Sequence, residues 1–210
     1  MTTTEAVTPE IRANRITRSM LGYGVLAGPL YAGVSLAQAL TRDGFDVTRH
    51  AWSLLSNGSL GWLQITNFIL TGLMVVTAGV GLTRAGARWT GRLVAVFGLS
   101  MVAAGLLRAD PAQGFPAGTP DGAGVVTWHG VGHLVAGAVG FLCVAVAAWL
   151  SPVLKPYSRV SGTLFLLAFI GIASGASSPL VVLGFVAGVL VIFAWLAVVS
   201  IQRYRRLPCD

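Results

Sequence analysis

Charge is the first scarcity. Only 10% of the 210 residues are charged, and just 7 are acidic. A soluble domain carries about a quarter charged residues, so a water-soluble globular class is excluded. Cysteine is almost absent. Cys143 lies inside an apolar run and Cys209 in the C-terminal tail, with nothing to pair them, so neither a disulfide nor a cysteine-built zinc site is expected. No glycine-rich stretch follows a strand pattern, which excludes the usual phosphate-binding loops. No small-residue cleavage signature follows a short apolar core, so the first apolar run reads as a retained helix and not a signal peptide. The first and last three apolar runs show no internal repeat, which gives no support to a transporter built of inverted halves.

What the chain has is apolar surface. Hydrophobic residues make up 55%, mean hydropathy is +0.77, and glycine occurs 27 times. Abundant glycine is common in helices packed inside membranes. A net charge of +7 raises the question of nucleic acid. The arginines, however, sit at the ends of apolar segments and not along one face, so no nucleic-acid partner is expected and the lipid bilayer is the partner.

Six apolar runs are long enough, or nearly so, to span a bilayer: residues 19–40, 62–83, 93–107, 126–150, 160–175 and 179–201. The expected fold is an all-α, polytopic six-helix transmembrane bundle over residues 19–202. A polar tail over 1–18 precedes it and a basic tail over 203–210 follows it. In the first span Gly24, Gly28 and Ala32 form a small-residue stripe for close helix contact, and Pro29 is expected to kink it. In the last, Gly184 and Gly188 offer another close-packing notch. In the second, Gln64, Asn67 and Thr71 recur at helical spacing and should face the bundle interior, where they can bond a neighbouring helix.

Two polar islands interrupt the runs. In residues 41–61, Thr48 is expected to cap a short helix ended by Asn57-Gly58, placing His50, Ser53 and Asn57 on one face. Residues 108–125 hold prolines and glycines that forbid a regular helix. The fourth span then opens with Trp128-His129-Gly130-Val131-Gly132-His133, whose two histidines lie four residues apart and so share a helical face. That face continues into Ala136 and Gly140.

An even number of spans puts both termini on one side. With the termini inside, 11 of the Lys and Arg residues are inner and only 3 (Arg42, Arg49 and Arg108) are outer. The positive-inside rule therefore places both termini in the cytoplasm and both islands outside a cytoplasmic membrane.

His50, His129 and His133, with Asp110 and Ser53, then all fall at the outer mouth. Three neutral imidazoles with one open position suit Zn²⁺. Asp110 would serve as a further ligand, a partner to a ligand or a general base, and Ser53 would orient substrate or water. Such a centre would lower the pKa of bound water to about 7, as in a hydrolase acting on a lipid or envelope molecule. The alternative is a non-enzymatic membrane protein, for assembly or small-ligand binding, in which the histidines fix the outer loops. A haem protein is a third reading. His129 and His133 share one face and cannot clamp a haem from both sides, so His50 would have to be one axial ligand.

The segments FDVTRHAWSLLSNGSLGWLQITNFILTG, RADPAQGFPAGTP and TWHGVGH resemble the family catalogued as domain of unknown function 998. The resemblance covers nearly the whole chain from about residue 20 and implies a bacterial or archaeal multi-span membrane protein. The order His50 with Ser53, then Asp110, then His129-xxx-His133 is more distantly similar to the alkaline ceramidase and adiponectin-receptor superfamily. That likeness implies a buried zinc site of three histidines with an Asp and a Ser. The chain differs in having six spans where those proteins have seven, and its HxxxH falls in the fourth.

Reporters fused after residue 210 or within 84–92 are expected to read as cytoplasmic, and reporters within 112–124 as outside. A cytoplasmic signal from the 112–124 fusion would overturn the assigned topology.

Overall fold

The computed structural model describes residues 9–175 and 177–208, and the described residues form six long helices without a β-strand. α1 is Pro9–Thr41, α2 Gly61–Arg84, α3 Arg88–Leu106, α4 Trp128–Leu150, α5 Lys155–Ala173 and α6 Pro179–Arg206. All six are long and apolar enough to cross a membrane. The shortest, at 19 residues, reach about 29 Å at 1.5 Å per residue, close to the hydrocarbon thickness. The chain is a multi-pass, all-α membrane protein.

Each helix packs on its neighbour in sequence, and α6 returns to pack on α1, so the six close into a ring. One end of the ring carries the long connections after α1 and α3 together with the short turn after α5. The other carries the α2–α3 and α4–α5 turns and the terminal residues.

Several helices outrun their apolar stretches. α1 begins at Pro9, not at residue 19, so residues 9–18 of the expected tail are helical, and its residues 1–8 lie outside the described residues. The extension is held by side chains: Arg84 Nε donates to Thr17 Oγ1 at 3.2 Å, and the Arg18 guanidinium lies 4.2 Å above the Tyr204 ring. α3 likewise starts at Arg88 and α5 at Lys155, while α6 continues through Arg203, Arg205 and Arg206. Basic residues in a last turn suit the negative end of the helix dipole. Hydropathy marks where the chain enters lipid, not where its helix begins. α1 also runs unbroken through Pro29.

The inward stripe of α2 finds partners on α1. Gln38 Nε2 donates to Gln64 Oε1 at 2.8 Å, and Gln64 Nε2 donates to Ser35 Oγ at 3.0 Å. Asn67 Nδ2 reaches the Tyr31 carbonyl at 3.1 Å, and Thr71 Oγ1 donates to Asn67 Oδ1 at 3.3 Å. Gln64, Asn67 and Thr71 are all buried, so their amides and hydroxyl have only protein to bond.

Glycine sets the closest helix pair. A Cβ on Gly98 of α3 would stand 2.6 Å from the Gly72 carbonyl oxygen of α2, and one on Gly79 would stand 2.6 Å from the Gly91 oxygen. No side chain fits there without parting the two backbones. The stripe on α1 works the same way against α6, where a Cβ on Gly28 would meet Phe193 Cβ at 2.9 Å. On α6 only half of the expected notch exists: Gly188 abuts Ala168 of α5, whereas Gly184 faces open space.

Gln64→Leu removes the acceptor of Gln38 Nε2 and a donor to Ser35 Oγ from the buried network. It is expected to cost about 1–3 kcal/mol of stability, whereas Val80→Leu on the lipid-facing side stays within about 0.5 kcal/mol. Unfolding in detergent, followed by far-UV circular dichroism, measures both. Equal stability of the two variants would contradict the network's role.

Candidate functional site

The connections after α1 and α3 are clasped together. Arg42, one residue past α1, donates from Nη1 to the Leu55 carbonyl and from Nη2 to the Asn57 carbonyl, and its guanidinium lies 4.9 Å above the Phe115 ring. A guanidinium's fixed fork suits two acceptors at once, which lysine could not match. Asn57 Nδ2 donates to the Ala109 carbonyl at 3.0 Å, and Arg49 pairs with Asp121 at 3.1 Å on the surface.

His50 is the centre of the clasp. It is only 2% exposed and packs between Phe45 and Phe115, with ring centroids 5.1 and 5.5 Å away. Its Nδ1 accepts from the Asp46 amide at 2.8 Å, so in this arrangement the ring proton sits on Nε2, which donates to the Gln113 carbonyl at 2.9 Å. Both nitrogens are spent on backbone.

The capped helix expected from Thr48 does not form. The Thr48 amide and hydroxyl both donate to Asp46 Oδ1, making a local turn. These bonds hold the Asp46 carboxyl below its usual pKa. Ala51 is extended, and only a short 3-10 helix follows, Trp52–Ser56. His50, Ser53 and Asn57 therefore do not share a helical face. Gly58 takes the left-handed conformation, φ +74°, as expected of a glycine ending this segment.

Asp110 has a structural position at the start of α4. Its carboxylate accepts from both the amide and the hydroxyl of Thr127, and Thr127 Oγ1 in turn accepts from the Gly130 amide at 3.2 Å. A carboxylate there also meets the positive end of the helix dipole. Gly130 makes the approach possible, because a Cβ at that position would overlap the Asp110 carboxylate.

The two histidines of α4 have different surroundings. His133 is buried, and its Nδ1 lies 2.9 Å from the Ala104 carbonyl and 3.0 Å from that of Leu107. Those carbonyls end α3 and lack partners along the helix, so His133 caps one helix from another. His129, in the first turn, stacks on the exposed Trp128 with centroids 3.5 Å apart.

Sharing a face does not bring His50, His129 and His133 to one point. Among the described residues, no group of three or more His, Cys, Asp or Glu side chains is gathered to hold a metal ion. A zinc ion on this set would require His50 to give up a backbone bond in a buried aromatic cluster. As they stand, the residues do not fit a zinc centre, nor form the arrangement that the ceramidase likeness implies. Asp110, expected as a base, is occupied by Thr127. Ser53 is half-buried and lines the space below the clasp.

That space is the main feature of this end of the molecule. Within the ring lies a partly open cavity of about 580 Å³, lined by residues of all six helices and both long connections. Its wall is mostly apolar, with Phe141, Phe165, Phe169 and Phe185 on the α4–α5–α6 side. Asp110, Gln113, Ser53 and His133 lie towards the clasped end. Of the residues singled out in the sequence, Asp110, Ser53 and His133 line this space, which is mostly apolar and not the polar site expected at the outer mouth. Arg42, Gln113, Phe115 and Gly130 were not singled out, because their roles lie in backbone bonds or close approach.

Gly130→Ala is expected to dislodge Asp110 and cost about 0.5–2 kcal/mol, the scale of a lost helix cap. Val131→Ala, on an exposed position of the same turn, should stay within about 0.5 kcal/mol. Thermal unfolding in detergent compares them, and equal melting temperatures would contradict the fit of Gly130 to Asp110.

The family model described as protein of unknown function (DUF998) matches residues 25–202, from within α1 to the last turns of α6. No curated protein and no solved structure matches the chain. By this match the chain belongs to the DUF998 family of membrane proteins of unknown function.

Proposed function

We propose that this chain is a non-enzymatic, multi-pass protein of the cytoplasmic membrane that binds a small apolar or amphipathic ligand within its ring of helices. On the arginine distribution, the clasped end faces outward and both termini lie in the cytoplasm. The observation that carries the reading is the partly open cavity, about 580 Å³ and walled mainly by aromatic and aliphatic side chains. Sites for small molecules are typically about 300–1,000 Å³, mostly apolar, with a few convergent polar groups.

The histidines fit this reading as fasteners. His50 ties the first long connection to the second through Gln113, and His133 ties α4 to the end of α3. A hydrolase would need an activated water, and the groups expected to hold it are already committed: His50 to backbone and Asp110 to Thr127.

The rim of the cavity supports access from lipid. Gly124 and Val126 of the second connection and Gly175 and Ser177 after α5 all line the cavity. Val125, Val126 and Leu180 are 84%, 72% and 83% exposed there. Exposed apolar residues at a mouth suit an amphiphile arriving from the bilayer.

Gly137→Leu tests the reading. Gly137 lines the cavity, and a Cβ there would meet only Phe141, at 3.8 Å. The larger side chain should fill space without disturbing the helices and should raise helix propensity. Wild-type protein incubated with membrane lipid extract is expected to retain a bound lipophilic molecule in native mass spectrometry, and Gly137→Leu is expected to lose it with unchanged thermal stability. Retention by neither protein, or equally by both, would contradict ligand binding in the cavity.

A further inference from the structure

We infer that the ligand is an uncharged amphiphile with a hydroxyl at its polar end, and that His133 Nε2 accepts a hydrogen bond from that hydroxyl. The inference rests on the cavity-binding reading above and names the chemistry of its ligand. His133 is 8% exposed and lines the cavity. Its Nδ1 faces two carbonyl oxygens, of Ala104 and Leu107, which can only accept. The Nδ1 atom therefore carries the proton, and the Phe68 ring, edge-on at 6.1 Å, braces the imidazole plane. In the neutral ring Nε2 is left with a lone pair. Among the described residues the hydrogen bonds of the ring are those of Nδ1, and none reaches Nε2.

The remaining lining decides what donor fits. An anionic head would meet the Asp110 carboxylate with no cation to offset it. Arg49 is the sole arginine or lysine among the described lining residues, and it is paired with Asp121. A cationic head would have Asp110 as its counter-charge, but that carboxylate is held by two bonds from Thr127 at the positive end of the α4 dipole, which already offsets part of its charge. A neutral hydroxyl meets the unfilled acceptor at no electrostatic cost. Its hydrocarbon tail would run among Phe141, Phe165 and Phe185.

The test uses 1-dodecanol and dodecyl methyl ether, which share a twelve-carbon chain and differ in the hydroxyl donor. Occupancy of the purified full chain is read by native mass spectrometry across a concentration series. One neutral hydrogen bond predicts that wild type prefers the alcohol by about threefold to tenfold. His133→Leu removes the Nε2 acceptor together with the Nδ1 donor, and should bind both compounds at the affinity of the ether. Gly137→Leu should bind neither. Equal binding of both compounds by wild type overturns the role of His133 and leaves the cavity reading intact, and so does an alcohol preference that survives in His133→Leu. Binding of neither compound by wild type overturns the cavity reading itself. The wild-type comparison decides the matter even if a variant fails to fold.

Discussion

Hydrocarbon offers no hydrogen bonds, so a polar side chain inside a span must be satisfied by another helix. That constraint places α1 against α2, where Gln64, Asn67 and Thr71 find Ser35, Gln38 and the Tyr31 carbonyl. The network fixes the rotation of both helices, because turning either would expose amides to lipid. Glycine then brings α2 and α3 into backbone contact through Gly72, Gly79, Gly91 and Gly98. Four helices are so positioned by polar bonds and close approach, counting α4 held to α3 by His133. α5 and α6 complete the ring through apolar contacts and the close approaches of Gly28 to Phe193 and Gly188 to Ala168, with a buried polar link where Trp195 Nε1 donates to Ser158 Oγ at 2.9 Å. The half of the wall they supply is therefore the more apolar half.

The clasp obeys the same rule at the membrane edge. Its side chains mainly bond backbone: Arg42 to two carbonyls, Asn57 to Ala109, His50 to Asp46 and Gln113. Connections of this length carry many peptide groups that cannot all pair with one another. Side-chain donors that satisfy them turn two loose connections into a cover. The cover spans the α1–α4 side, where the two long connections lie, whereas only a short turn follows α5.

The sequence showed the spans because apolar run length is a direct consequence of bilayer thickness. It also showed the inward stripe of α2, since polar residues at helical spacing in a span have few alternatives. It did not show the start of α1 at Pro9 or of α3 at Arg88, because a helix continues into water without an apolar signal. The histidines were read as a set because their chemistry is alike. Their actual partners, the carbonyls of Gln113, Ala104 and Leu107, carry no side-chain identity and leave no mark in a sequence. Gly130 was likewise hidden, since only the position of Asp110 explains why a methyl group is forbidden there. Thr48 looked like a helix cap, but Asp46 two residues earlier captured it in a turn.

The central claim is that the ring of helices houses a hydrocarbon chain below the clasp. Crystals grown with a long-chain alcohol brominated at its tail would locate that chain by the anomalous signal of bromine. The account predicts a peak inside the ring, beside Phe141 and Phe185, with the His50–Gln113 bond intact. Bromine peaks confined to the outer, lipid-facing surface of the helices would contradict it.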